Sequence, residues 1–189
     1  MRITFISSKG GTGKSSLCLI IAGILQRAGK NVSVLDMDPQ GTATHFADAF
    51  DLPVGDLSAD FHLVDTPGHI STTGRVGREL AQTIKDSDRI LLVCEKSPVS
   101  IHGAADSAAF IREHKRKGSK AFVLFNQVRS ATTIGKQDSS DLGKLLHLPV
   151  LQNEIPLTAQ VEMAGVEGLR AIRGPVMDRF LNLALEIIA

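Results

Sequence analysis

Apolar residues in this chain fall into short runs, and most runs are followed by a polar loop and then by a stretch with helical character. Residues 2–6 (RITFI) are β-branched and aromatic and break into a glycine-rich loop, the signature of a strand end. Residues 15–28 read as a helix that is apolar nearly all round, which predicts burial, and Gly29 is placed to end it in the left-handed conformation. Further strands are predicted at residues 31–36 (NVSVLD), 60–65 (DFHLVD), 89–94 (RILLVC) and 120–126 (KAFVLFN). Helices are predicted at residues 71–85, 100–117 and 138–146, with two more in the tail at 158–164 and 175–188. Strands that are continuous apolar runs, alternating with helices, indicate a parallel sheet covered on both faces. The expected fold is therefore one α/β domain over residues 1–189, a doubly wound, mainly parallel sheet with helices on both faces. Functional loops in such a fold gather at the carboxyl ends of the strands.

Composition narrows what those loops do. Apolar residues make up 43% and charged residues 22% of the 189 positions, the balance of an ordinary globular domain. There is no Trp and no Tyr, so the eight Phe carry all the aromatic character, which disfavours a base-stacking surface. The net charge is +1, and any nucleic-acid binding must come from a local patch. Cys18 and Cys94 lie in separate apolar runs without a CxxC spacing, as reduced core cysteines do. The polar loop begins by Ser7, too early for a secretory leader, and the longest apolar stretch, residues 17–25, is too short to span a bilayer. A cytoplasmic protein without a membrane partner is expected.

The strongest chemical signal is Lys9-Gly-Gly-Thr-Gly-Lys-Ser-Ser16, placed between a predicted strand and a predicted helix as a P-loop requires. Gly10, Gly11 and Gly13, with Thr12 between them, let backbone N–H groups turn inward around phosphate oxygens. The amino terminus of the helix, at Ser15 and Ser16, adds partial positive charge. Lys14 can reach the β- and γ-phosphates, and the Ser15 hydroxyl can ligate magnesium. One position departs from the general pattern: Ser8 stands where glycine is usual, and Lys9 precedes the glycine pair.

This K-G-G-x-G-K-[ST] form resembles the deviant P-loop of the ParA/MinD family of ATPases. The resemblance implies that Lys9 contacts the phosphates of a partner subunit across a nucleotide-sandwich homodimer. Asp36-Met-Asp-Pro-Gln-Gly41 is similar to the family's D-x-D-P-Q-G switch, which implies that Asp38 orients or activates the attacking water. Asp36 would then lie near the magnesium and its water shell. His62-Leu-Val-Asp-Thr-Pro-Gly68 looks like the Walker B segment, with Asp65 binding magnesium through water. His69 extends this to DTPGH, a string that also resembles translational GTPases and brings guanine into question. Guanine-specific P-loop proteins carry N-K-x-D, however, and Asn126-Gln-Val-Arg129 has Arg129 at the aspartate position. Asn126 resembles the family asparagine that contacts adenine, and Pro156 in Glu154-Ile-Pro-Leu157 resembles its base-side proline. ATP with Mg2+ is the implied ligand pair.

The resemblance covers most of the chain and is tightest over residues 1–68. The chain is short for the family and looks like its compact plasmid-type branch, with no DNA-reading domain before the first strand. Cluster-binding relatives need interface cysteines, and the tyrosine kinases of this fold need tyrosines that are absent here. The tail, residues 178–189 (DRFLNLALEIIA), has one Arg against two acids and reads as a packing helix rather than a basic membrane anchor. What remains is a switch that positions DNA or a protein cargo by ATP-regulated, nonspecific DNA binding, with hydrolysis stimulated by a small adaptor protein. Candidate phosphate-backbone contacts are Arg112, Lys115, Arg116, Lys117 and Lys120, or Arg170, Arg173 and Arg179. The competing expectations are a dethiobiotin-synthetase-like ligase and a non-hydrolysing regulatory switch.

Overall fold

The computed structural model describes residues 1–68 and 74–189. Five strands form one sheet: β1 (Arg2–Ile6), β2 (Val32–Asp36), β3 (Phe61–Asp65), β4 (Arg89–Glu95) and β5 (Lys120–Asn126). Their spatial order is β2-β3-β1-β4-β5, and every neighbouring pair is parallel. The helices are α1 (Lys14–Arg27), α2 (Thr42–Phe46), α3 (Gly74–Asp86), α4 (Pro98–Gly103), α5 (Ala105–His114), α6 (Thr133–Lys136), α7 (Ser139–Leu146), α8 (Ala159–Glu167) and α9 (Gly174–Ile188). Short 3-10 turns at Ala47–Phe50 and Gly168–Ala171 follow α2 and α8.

The strands are apolar on both sides because both sides are covered. Along β4, Leu91 and Val93 enter one core cluster with α1, α8 and α9, whereas Ile90, Leu92 and Cys94 enter a second with α3, α5 and α7. This is the period-2 alternation of a pleated strand, with both faces filled. Helix α1 is the most buried helix, as its uninterrupted apolar sequence predicts. Gly29 closes it at φ +79°, donating its N–H to the carbonyl of Gln26 at 2.9 Å.

The connection after β1 runs to α1 on one face, and the chain after β3 reaches α3 on the other. These two strands are neighbours, so the connections leaving their carboxyl ends diverge and open a crevice there, the usual ligand position in an open α/β sheet. Among the described residues no helix is long and apolar enough to cross a membrane.

Several boundaries differ from the sequence reading. The helix expected over 100–117 is two helices. Pro98 starts α4 behind Ser97, whose side chain accepts from the Ser100 N–H, and the chain re-enters helix at Ala105. Extended backbone at Lys115 stops α5, and Gly118 turns the chain at φ +98° before β5. Helices α2 and α6 are too short to show a 3.6-residue pattern; Asp36 accepts the Thr44 N–H within α2, and Thr132 caps α6 by accepting the Gly135 N–H. Residues 71–73 of the helix expected over 71–85, and His69, lie outside the described residues.

Candidate functional site

The phosphate loop leaves β1 and enters α1 through two left-handed glycines, Gly11 and Gly13, both at φ +78°. Gly13 is the N-cap and supplies no side-chain acceptor, so the first N–H groups of α1 remain available to a ligand. A β-carbon on Gly13 would lie 2.5 Å from Asn126 Nδ2, and one on Gly68 would lie 3.1 Å from the Gly10 Cα. Glycine at those two places lets the loop seat on the end of β5 and lets the turn after β3 close onto the loop.

Beneath the loop, Lys14 Nζ donates to Asp65 Oδ1 at 2.6 Å and Ser15 Oγ donates to Asp65 Oδ2 at 2.6 Å. The Lys14 and Asp65 side chains are 5% and 0% exposed. Burial pushes the Asp65 carboxyl above its usual range, against the opposing pull of Lys14 and Ser15. The Cys18 thiol one turn into α1 is pushed well up by its own burial and by Asp65, which makes it an inert core group.

Asp36 and Asp38 divide their work. Asp36 Oδ1 accepts the Asp38 N–H at 3.0 Å, and Oδ2 accepts from the Thr44 N–H at 2.8 Å and the Thr44 hydroxyl at 3.0 Å. Asp36 is therefore the peg on which the segment into α2 is hung. It also stands directly across from Asp65 in the β2–β3 register. Asp38 lines the open cleft, where Oδ1 accepts the Gln40 N–H at 3.0 Å.

The loop, Asp38, Thr42, Gly68 and Gln127 surround a cleft of 710 Å³. Lys9 stands at its mouth, 47% exposed, with Nζ 3.2 Å from Glu95 Oε1 at the end of β4. Asn126 reaches the loop from β5, its Nδ2 donating to the Thr12 carbonyl at 2.7 Å. Pro156 lies further out, bridged to Val128 just past β5, and the chain there is held by Leu157 N–H on the Val128 carbonyl at 3.1 Å.

Three groups escaped the sequence reading. Gln127 donates to the Gly11 carbonyl at 2.8 Å. Glu95 holds Lys9. Lys96, with only 3% of its side chain exposed, donates to both carboxylate oxygens of Glu154 at 3.0 and 3.1 Å and to the Gly135 carbonyl at 3.2 Å. Glu154 also accepts from Ser139 at the start of α7. This buried pair ties the base-side segment to β4. The available signal was position: Glu95 and Lys96 stand where an apolar strand reaches its carboxyl end, the functional edge of such a sheet.

The two basic groups differ as well. Arg116 is ion-paired with Asp88, while Arg112, Lys115 and Lys120 bond to carbonyls of Leu146, Ser119 and Ala189. Lys115, Arg116, Lys117 and Lys120 sit at the amino end of β5, on the opposite side of the sheet from the cleft. Arg170, Arg173 and Arg179 bond to the carbonyls of Glu167, Arg170 and Glu154. Among the described residues none of these three pairs with a carboxylate.

Residues 3–171 match the CobQ/CobB/MinD/ParA nucleotide-binding domain. A 43-residue stretch is 46% identical to the chromosome-partitioning ATPase Soj of Thermus thermophilus. It covers 23% of this chain and only 17% of the length of that relative. Among solved structures, the fold is similar to McdA of Cyanthece with a TM-score of 0.74 and 14% identity, covering 100% of this chain and 99% of that one. It is also similar to the septum site-determining protein MinD of Pyrococcus horikoshii OT3 complexed with Mg-ADP, with a TM-score of 0.72 and 15% identity over 98% and 95% of the two chains.

Proposed function

The chain belongs to the CobQ/CobB/MinD/ParA nucleotide-binding family, and from that premise we propose that it is an ATP-dependent dimerising switch that positions DNA or a protein cargo. The observation that carries the reading is Lys9. It stands at the mouth of the phosphate cleft, half in water, and among the described residues its ammonium is held only by an ion pair that solvent already weakens. A lysine so placed is free to swing outward to a phosphate bound by a second subunit.

Within one subunit, the loop N–H groups and Lys14 bind the phosphates, for which Lys14 exchanges Asp65 for phosphate oxygen. Ser15 and Asp65 form a hydroxyl–carboxylate pair, which suits magnesium, a cation that takes few protein ligands and keeps phosphate and water for the rest. Among the described residues no three His, Cys, Asp or Glu side chains form an all-protein metal cage, in keeping with that kind of site. A magnesium ion held by Ser15 and Asp65 would supply charge neutralisation to the phosphates. Asp38, whose Oδ1 is engaged by the Gln40 N–H, offers Oδ2 to the attacking water. Adenine is favoured because Arg129 replaces the acid that a guanine site needs.

Arg170, Arg173 and Arg179 are the better candidates for DNA. Among the described residues none of them pairs with a carboxylate, and Arg179 donates to the Glu154 carbonyl in the segment beside the base. Arg116 is neutralised by Asp88 at the far end of the sheet.

Sedimentation and a DNA mobility shift, each with and without MgATP, test the reading. The wild type should dimerise and shift DNA only with MgATP, and Lys9→Ala should do neither. Asp38→Ala should dimerise but hydrolyse ATP at least tenfold more slowly. A Lys9→Ala protein that dimerises normally would sink the shared site, and ATP turnover that requires a small metabolite would favour a ligase.

A further inference from the structure

Gln127 follows β5 with φ +53°, in the left-handed region that favours glycine. A side chain held there needs a reason, and its amide has one target: Nε2 donates to the Gly11 carbonyl, 116 residues away, at 2.8 Å. The preceding Asn126 does the same to the next carbonyl of the loop, that of Thr12, at 2.7 Å. Two consecutive amides therefore hold two consecutive loop carbonyls. The fit is close, since a β-carbon on Gly13 would stand 2.5 Å from one amide nitrogen and 3.6 Å from the other.

In a trans peptide the carbonyl of one residue and the N–H of the next point in opposite directions. Anchoring the Gly11 carbonyl on Gln127 therefore aims the Thr12 N–H away from β5, into the concavity of the loop. Asn126 does the same for the Gly13 N–H through the Thr12 carbonyl. Neither N–H has a protein acceptor among the described residues, although Thr12 is 2% exposed. Donors so aimed at the cleft are open to the acceptor oxygens of a ligand.

We infer that Gln127 is a positioning residue for phosphate binding: its amide fixes the direction of a loop N–H that receives a phosphate oxygen. The inference rests on the reading of residues 9–16 as a nucleotide phosphate site. Glycine at position 127 would suit the backbone better but would release the Gly11 carbonyl. Glutamate would keep the shape and present an acceptor to an acceptor. Lysine would restore a donor long enough to reach the same carbonyl.

Titration calorimetry of the full chain with MgATP and MgADP, paired with thermal unfolding without nucleotide, tests this on Gln127→Gly, Gln127→Glu and Gln127→Lys. Gln127→Gly should weaken both nucleotides about tenfold, the effect expected when a donor to charged phosphate is misdirected, with its unfolding midpoint unchanged. Gln127→Glu should lose more, and Gln127→Lys should recover most of the wild-type affinity. Wild-type affinity in Gln127→Gly overturns the inference. So does a loss in both Gly and Lys variants that tracks a fall in unfolding midpoint, because that pattern belongs to a merely structural contact. A wild type that binds neither nucleotide overturns the site itself, a distinguishable failure.

Discussion

At the amino ends of the strands, Arg116 meets Asp88 with 50% and 35% of the two side chains in water. At the carboxyl ends, Lys14 meets Asp65 at 5% and 0%, and Lys96 meets Glu154 at 3% and 19%. Both ends carry ion pairs, but among the described residues only the carboxyl end buries them. Exposed pairs contribute little to folding and are screened by salt. Buried pairs cost several kcal/mol of desolvation per ion, and a hydrophobic pair of similar shape often serves stability as well. Charge is retained where it is expensive, and here that place is the end of the sheet that carries the phosphate loop.

The sharpest way to break this contrast is Lys14→Met. It should abolish measurable MgATP binding and, by leaving Asp65 buried without its cation, destabilise the protein by about 3 kcal/mol. Adding Asp65→Asn should recover most of that stability but none of the binding, a result that chemical denaturation and calorimetry separate. Next in size is Lys96→Met, which strands Glu154 in a part-buried site. The expected loss is about 2 kcal/mol with a several-fold weaker MgATP affinity through the displaced 154–157 segment.

The acid limb of stability sharpens the same comparison. The Asp65 carboxyl is raised by burial, so its contribution is fully present below the ordinary carboxylate range and is lost as pH rises through the raised value. Asp138, at the exposed amino end of α7, is lowered by its hydrogen bonds from Ser140. Its contribution is present above the ordinary range and is lost as pH falls through the lowered value. The stability difference between the Lys14→Met/Asp65→Asn protein and the wild type should therefore shift in favour of the variant with rising pH. Asp138→Asn should do the opposite, losing ground to the wild type as pH rises. Denaturation curves across the acid range read both signs. The smallest effect belongs to Arg116→Ala at the amino end, under about 1 kcal/mol and without change in nucleotide affinity.

Most of the phosphate site was legible because its parts are contiguous. Lys9 to Ser16 carries the turn, the donors and the cation within one loop, and residues 36–41 and 62–68 each end a strand in a recognisable acid. The parallel, doubly covered sheet was legible too, since its strands are unbroken apolar runs. The long helix read over residues 100–117 was not: its composition is continuous, but the Ser97 cap and the break at Ala104 are matters of backbone geometry. Asp36 read as a magnesium-side carboxylate, and what the structure shows is that it anchors Thr44.

The sequence by itself determined where strands and helices alternate and where the candidate phosphate loop lies, because hydrophobic period and loop chemistry are local properties. Only the tertiary structure decided which acid receives which lysine: Asp65 for Lys14, Glu95 for Lys9 and Glu154 for Lys96. It also decided that Asn126 and Gln127 hold two consecutive carbonyls of the loop. The reason is topological. Parallel strands joined by crossovers bring the ends of distant segments side by side, and burial there sets a high cost on every unpaired polar group, so partners more than fifty residues apart are fixed by packing rather than by spacing along the chain.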